Sequence, residues 1–182
     1  MSESIKNSAP ATELLTKQLA ERYIVELTAL ANQIPLVDYT AEDLLSEHKG
    51  DRQLPGKWSH SLITLIDGEP VAFVMAYERE SESNEQYPEN TIYLSELAVA
   101  EKHQGKGLAK DLLRTFFEMN NNIGLQFLEG SLNYSLQTNS ADWNQGVVNL
   151  YKSFGFKERA TKNYPNRTDL VLSADASELR LN

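Results

Sequence analysis

Apolar residues at Leu15, Leu19, Tyr23, Leu27 and Leu30 recur every three or four positions. That spacing predicts a long amphipathic helix running from Thr12 to the Asn32–Pro35 region, with no obvious strand before it. Thr40 opens a second, shorter helix, its hydroxyl placed to cap the first turn, with Glu42 and Asp43 at the positive end of the dipole and Leu44 and Leu45 inward. After a loop over residues 50–57 the period changes. Ser59 to Ile66 and Pro70 to Arg79 read as strands joined by Asp67-Gly68-Glu69, a hairpin signal. A polar, acidic loop (81–90) leads to a third strand at 91–100. Leu108, Leu112, Leu113, Phe116 and Phe117 then mark the inner face of a helix from Gly105 to about Asn121, closed by Gly124. A strand is expected at 125–132, a polar stretch at 133–142 and a helix at 144–154 with Gly155 as its C-cap residue. Short closing strands at 156–161 and 168–173 complete the pattern. The order ααβββαβαββ implies an α/β (α+β) fold with a mixed sheet and helices on both faces. One domain over 11–173 is expected between a flexible tail at 1–10 and a polar C-terminal tail at 174–182.

Composition narrows the function. At 182 residues the chain is long enough for one domain that buries about 70% of its unfolded surface. The absence of cysteine excludes a disulfide scaffold, a zinc-thiolate site and a catalytic thiol. Three scattered histidines form no metal motif, so no metal is expected. The longest apolar run, Val71 to Tyr77, is seven residues, far short of the roughly 20 that span a bilayer. The polar start carries no secretory pattern, so a cytoplasmic protein with no membrane partner is expected. A net charge of −9 disfavours nucleic acid.

Candidate chemistry concentrates between Leu94 and Leu113, where a buried strand enters a turn holding Gly105 and Gly107, and the turn opens a helix. Unpaired N–H groups at a helix N-terminus, with the dipole behind them, favour an anion. Two glycines let a phosphate reach the main chain, and Gln104 and Lys106 add donors beside it. A turn that needs glycine for its backbone angles alone reads equally well. The spacing fits neither a P-loop nor a dinucleotide fingerprint, whose third glycine would fall at Lys110.

These residues resemble a family. Gln104, Gly105, Lys106, Gly107, Leu108 and Ala109 match the Gln/Arg-x-x-Gly-x-Gly/Ala motif of the GNAT superfamily of N-acetyltransferases, and Leu94-x-x-Leu97-x-Val99 resembles its fourth strand. Asn144-x-x-Val147-x-x-Leu150-Tyr151, followed by Gly155 and Phe156, looks like its second signature. The resemblance covers roughly Ser59 to Ser173. It implies a mostly antiparallel sheet with a splayed V between the fourth and fifth strands, holding acetyl-CoA as co-substrate. The pyrophosphate would sit on the amides from Gln104 to Ala109, and the pantetheine arm would pair with Leu97 and Val99. Asn144 would contact the pantetheine or adenosine side. Glu101 stands where the family often has Pro, and Val147 where it usually has Ala.

In such a reaction an amine attacks the thioester carbonyl. An alkylamine of pKa near 10 must lose a proton first, and the departing thiolate gains one. Tyr151, at the position of the family's acid tyrosine, is the expected acid. Glu96, on the fourth strand, and Glu129, expected on the fifth, compete as base, with Glu96 slightly favoured. The N–H of Val99 or Ala98 would hold the oxyanion. His103 fits an exposed place beside the phosphates better than a base, and Trp143 reads either as a lid or as core. The first two helices and the last hairpin would wall the acceptor site, bringing Asp38, Tyr39, Glu42, Asp43 and Tyr164 near it; acidic groups there favour a cationic amine. Lys162-Asn163-Tyr164-Pro165 resembles a segment of ribosomal-protein alanine N-acetyltransferases. The acceptor is thus a small-molecule amine or a peptide N-terminus, and the protein a monomer or homodimer. A non-catalytic acyl-CoA-binding module of the same fold is the alternative.

Overall fold

The run Val71 to Tyr77 is apolar throughout because its strand is buried on both faces, inside the sheet. The structure, a computed structural model, describes residues 8–79, 91–127, 135–141 and 144–182. Its elements begin with β1 (Ala11–Leu14), α1 (Lys17–Arg22), α2 (Ile24–Ala31), α3 (Ala41–Leu45), β2 (His48–Lys49) and β3 (Arg52–Gln53). Then come α4 (Lys57–His60), β4 (Leu62–Ile66), β5 (Glu69–Arg79), β6 (Thr91–Val99) and α5 (Leu108–Phe127). The chain closes with β7 (Ser135–Ala141), α6 (Gln145–Ser153), β8 (Lys157–Tyr164) and β9 (Arg167–Asp175). Seven strands form the main sheet in the order β1-β4-β5-β6-β7-β9-β8, and β2 pairs with β3 apart from it. All neighbours in the sheet run antiparallel except β6 and β7, whose parallel pairing needs the crossover that α5 supplies. The expected mixed, mostly antiparallel sheet flanked by helices is the observed fold.

Two cores cover the two faces. Ala72, Val74 and Ala76 of β5 point back, under Leu113, Phe116 and Phe117 of α5 and Val148 of α6. Phe73 and Met75 point forward, under Leu27, Leu30 and Leu44 from the N-terminal helices. In β6 the alternation changes phase. Met75 stands opposite Glu96 and Ala76 opposite Leu94, leaving Ser95 as a bulge. Ile92 and Leu94 before the bulge, and Leu97 and Val99 after it, lie on the back core. Ala98 faces the front core, and Glu96 meets Tyr39 on that same side.

Several elements differ from expectation. The expected helix from Thr12 begins as the edge strand β1, paired with β4, and the helix itself breaks at Tyr23 (φ −108°, ψ 23°). The stretch read as a loop at 50–57 contains β3, and α4 replaces the start of the strand expected at Ser59. Thr40 does cap α3, in a reciprocal capping box with Asp43. Gly124 does not end α5, so residues 125–127, expected as strand, are helical. A glycine inside a helix costs only about 1 kcal/mol, which a 20-residue helix packed on a core absorbs. The remainder of that expected strand, the 81–90 loop and the expected tail up to residue 7 lie outside the described residues. The strand beside β6 is β7, inside the stretch read as polar. Residues 174–182 do not trail away. Ala174 and Asp175 finish β9, Leu179 and Leu181 pack on the back core, and the Arg180 N–H donates to the Phe154 carbonyl at 3.0 Å. Gly155 takes φ +100° beneath this segment, where a Cβ would lie 2.9 Å from the Glu178 carbonyl oxygen. No helix among the described residues is long and apolar enough to cross a membrane.

Candidate active site

β6 and β7 pair only from Thr91–Ser135 to Leu94–Thr138, where the Thr138 hydroxyl donates to the Leu94 carbonyl at 3.1 Å. Beyond that point β6 continues along β5 to Val99 and β7 along β9 to Ala141, and the two diverge. The Ala100 N–H donates to the Val71 carbonyl of β5 at 2.8 Å. Since backbone groups alternate along a strand, those of Ala98 also face β5, while those of Leu97 and Val99 face the gap. Of the two amides expected to hold an oxyanion, only that of Val99 opens to the gap. Its carbonyl is taken by the Gln104 side chain, which donates at 2.9 Å.

Past Val99 a single 3-10 turn (Glu101–His103) leads through Gln104 to the glycine turn. Gly105 (φ +71°) and Gly107 (φ +87°) are both left-handed, a conformation that other residues adopt only with strain. What surrounds them differs from other glycines here. A Cβ on Gly56 would strike the His60 ring at 2.7 Å, but on Gly105 it would meet nothing within 4 Å and on Gly107 only Asp111 Oδ2 at 4.0 Å. The glycine turn is therefore open to the outside, with the unpaired first amides of the 20-residue α5 beside it. The Asp111 carboxylate is paired with Arg114 at 2.8 Å. Both expected side-chain donors have one bond within the protein: Gln104 Nε2 donates to the Val99 carbonyl at 2.9 Å and Lys106 Nζ to the Lys102 carbonyl at 2.8 Å. The glycine turn offers main-chain amides to whatever enters the cleft there.

Tyr151 is buried on α6 and lines the gap. Burial pushes its phenol up to about 12, against a weaker opposing hydrogen bond with Thr138. Glu96 lines the same gap from β6. Its Oε1 accepts from the Tyr39 hydroxyl at 2.5 Å and its Oε2 from Ser95. Burial raises its carboxyl above the ordinary range, and the Tyr39 hydrogen bond and the charges of Lys49 and Lys57 only partly offset this. Tyr39 is itself pushed up by burial and by Glu96, so it remains a donor. Lys57 is buried, its ammonium held by the carbonyls of Leu44 (2.7 Å) and Ser46 (2.6 Å). Asn144 accepts from the Val147 N–H at 3.3 Å as the N-cap of α6. Glu129 and Trp143 lie outside the described residues.

One cleft of about 840 Å3 gathers these groups, a volume suited to a cofactor-sized ligand. It brings together Glu96, Leu97, Ala98 and Val99 of β6 and Gln104, Gly105, Gly107, Leu108 and Ala109 of the turn and helix, with Asn144 and Tyr151. His103 stands on its rim, while Lys106 does not line it. Of the residues expected at the acceptor wall, Tyr39 is present, whereas Asp43 is committed to capping α3. Sequence reasoning missed Thr138 and Asn139 on β7 and the Arg167–Asp169 pair on β9. The Arg-x-Asp spacing, which puts both side chains on one face of a strand, was the available signal for that pair.

The family model described as "Acetyltransferase (GNAT) family" matches residues 24–156. No curated protein sequence gives a significant match. Among solved structures, Ard1 from Thermoplasma volcanium is similar at TM-score 0.71 and 15% identity, covering 92% of this chain and 98% of that one. The ribosomal-protein-S18-alanine N-acetyltransferase from Escherichia coli gives 0.67 and 14%, over 92% and 94%. The acetyltransferase yncA from Salmonella typhimurium, described as putative and solved with acetyl-CoA, gives 0.66 and 13%, over 93% and 95%. At these identities the structures speak for the fold alone, while the sequence match spans most of the chain and includes both the glycine turn and Tyr151. The chain belongs to the GNAT family of acetyltransferases.

Proposed function

We propose that this acetyltransferase moves the acetyl group of acetyl-CoA to a primary amine, by direct attack within a ternary complex. The observation that carries the reading is the opening between β6 and β7, which joins an exposed glycine turn at one end to Tyr151 and Thr138 at the other. The residues fit the co-substrate. A diphosphate lies on the amides from Gly105 to Ala109, where no Cβ intervenes at the glycines. The pantetheine arm pairs with the backbone groups of Leu97 that face the gap, which places the thioester beside the Val99 N–H, the Val99 carbonyl being held by Gln104. That a similar structure was solved with acetyl-CoA supports this placement.

The amine nitrogen bonds to the thioester carbon as the carbonyl oxygen gains charge, which the Val99 N–H offsets. Glu96 takes the amine's proton, directly or through water; its raised affinity for protons brings it closer to the amine it must deprotonate. The carbon–sulfur bond breaks, and Tyr151 gives its proton to sulfur. With its phenol near 12, Tyr151 retains that proton throughout the working pH range.

Calorimetry with acetyl-CoA, followed by a thiol-release assay over an amine panel, tests the reading. Binding together with amine-dependent release is expected. Absence of binding would overturn it, and tight binding without release from any amine would favour the non-catalytic module.

A further inference from the structure

Resting on the acetyltransferase reading above, the geometry points to Arg167 as the residue that selects the acceptor, reading a neutral carbonyl oxygen near the amine. Arg167 Nε donates to Asp169 Oδ1 at 2.9 Å and Nη2 donates to Oδ2 at 3.4 Å. The flat guanidinium lies over the Tyr164 ring, 4.9 Å from its centroid. The carboxylate along one edge and the ring beside it hold the guanidinium in place. Asp169 is the hidden partner, its side chain 7% exposed against 30% for Arg167.

The pair stands on the acceptor's side of the sheet. Leu170, Leu172 and Ala174 of β9 pack on the back core beneath α5 and α6, so Arg167 and Asp169 project from the opposite face, the one that carries Glu96. Asp169 is in register with Ala141 at the end of β7, the arm across the gap from β6. The glycine turn leads into α5 on the back face, so the pair is separated from the diphosphate cradle by the sheet itself. Both side chains nonetheless line the common cleft.

The chemistry of the pair defines what it accepts. A guanidinium has five N–H donors; Asp169 takes two, and three remain on the free edge. Asp169 also balances the charge, so the edge offers directional donors with little net field. A carboxylate there would meet the Asp169 charge, and a second ammonium would meet the guanidinium. An amide carbonyl meets neither. The acceptor class is therefore an amine with an adjacent amide, as in an aminoacyl amide or peptide N-terminus, rather than a free amino acid or a polyamine.

The test measures thiol release by the intact protein with alaninamide, free alanine and spermidine, for the wild type, Arg167→Gln and Asp169→Asn. The wild type should use alaninamide best. Arg167→Gln should raise KM for alaninamide about tenfold or more, the loss expected when charged-donor hydrogen bonds are removed, with kcat and acetyl-CoA affinity little changed. Asp169→Asn uncovers the guanidinium charge and should shift preference toward free alanine. If Asp169→Asn fails to fold, Arg167→Gln decides the matter, since its side chain is the more exposed of the two. Wild-type preference for spermidine or alanine, or an equal loss on all three acceptors in Arg167→Gln, would overturn the assignment. So would release from none of the three while acetyl-CoA still binds. Failure of acetyl-CoA to bind at all would instead overturn the acetyltransferase reading beneath it.

Discussion

The two walls of the cleft are built on opposite plans. The wall proposed for the diphosphate and thioester is one continuous stretch, the end of β6, the glycine turn and the start of α5, and its donors are main-chain amides. The rest of the cleft is assembled from side chains far apart in the chain: Tyr39 after α2, Glu96 on β6, and Arg167 and Asp169 of the last hairpin. A main-chain site survives most substitutions and fails when bulk or backbone strain enters it. A side-chain site fails one atom at a time, and its specificity can be redrawn just as locally.

Four substitutions probe that contrast, in falling order of effect. Gly107→Trp puts an indole and a strained φ of +87° into the cradle, and acetyl-CoA affinity should fall on the order of 100-fold or more by calorimetry. Normal binding would mean that the diphosphate lies elsewhere. Tyr151→Phe keeps the packing and loses the proton, so kcat should drop by about 10²–10⁴ while acetyl-CoA still binds. A variant with full turnover would remove Tyr151 as the acid.

Glu96→Gln should lower kcat/KM by about 10² and abolish the acid limb of its pH profile. In the wild type that limb should lie above the ordinary 4.5, because burial raises the carboxyl. The same shift bears on stability, with the opposite sign. Glu96 holds its proton more tightly folded than unfolded, so its contribution is fully present below pH 4.5 and is lost as pH rises through the folded value. Thermal melts should therefore show Glu96→Gln with a raised Tm near neutral pH. A lowered Tm there would show that the charged carboxylate is well accommodated. Tyr39→Phe should have the smallest effect. Its hydroxyl lowers the Glu96 carboxyl, so the acid limb should move further up and turnover at pH 7 should fall a few-fold. An unmoved limb would detach Tyr39 from the base.

The legibility of the sequence follows the same division. The glycine turn, Tyr151 and the strand carrying Glu96 could be read because each is local: a motif, a helix face, an apolar run. β1 could not, since its four residues are mostly exposed and only pairing with β4 makes them a strand. β7 was hidden by its composition. Ser135–Ala141 shows no apolar alternation, and its place comes from ladders to β6 and β9. Misplacing that strand concealed Thr138 and Asn139. The Arg167–Asp169 pair remained unread because its meaning depends on which face β9 presents, which only the sheet decides.

Ser95 behaves like the stop on a zipper. Parallel strands that have begun to pair, as β6 and β7 do up to Leu94 and Thr138, can continue, and the groups facing the gap at Leu97 and the Val99 N–H are the ones β7 would meet. The extra residue bends and twists β6 at the very place where pairing ends. Shortened by that one residue, the strand could hydrogen-bond itself shut and fill from within the seat that a thioester would use, with every reactive group still in the chain. The opening begins at the one position where β6 carries a surplus residue, so the backbone count there, and not the Ser95 hydroxyl, coincides with the end of pairing.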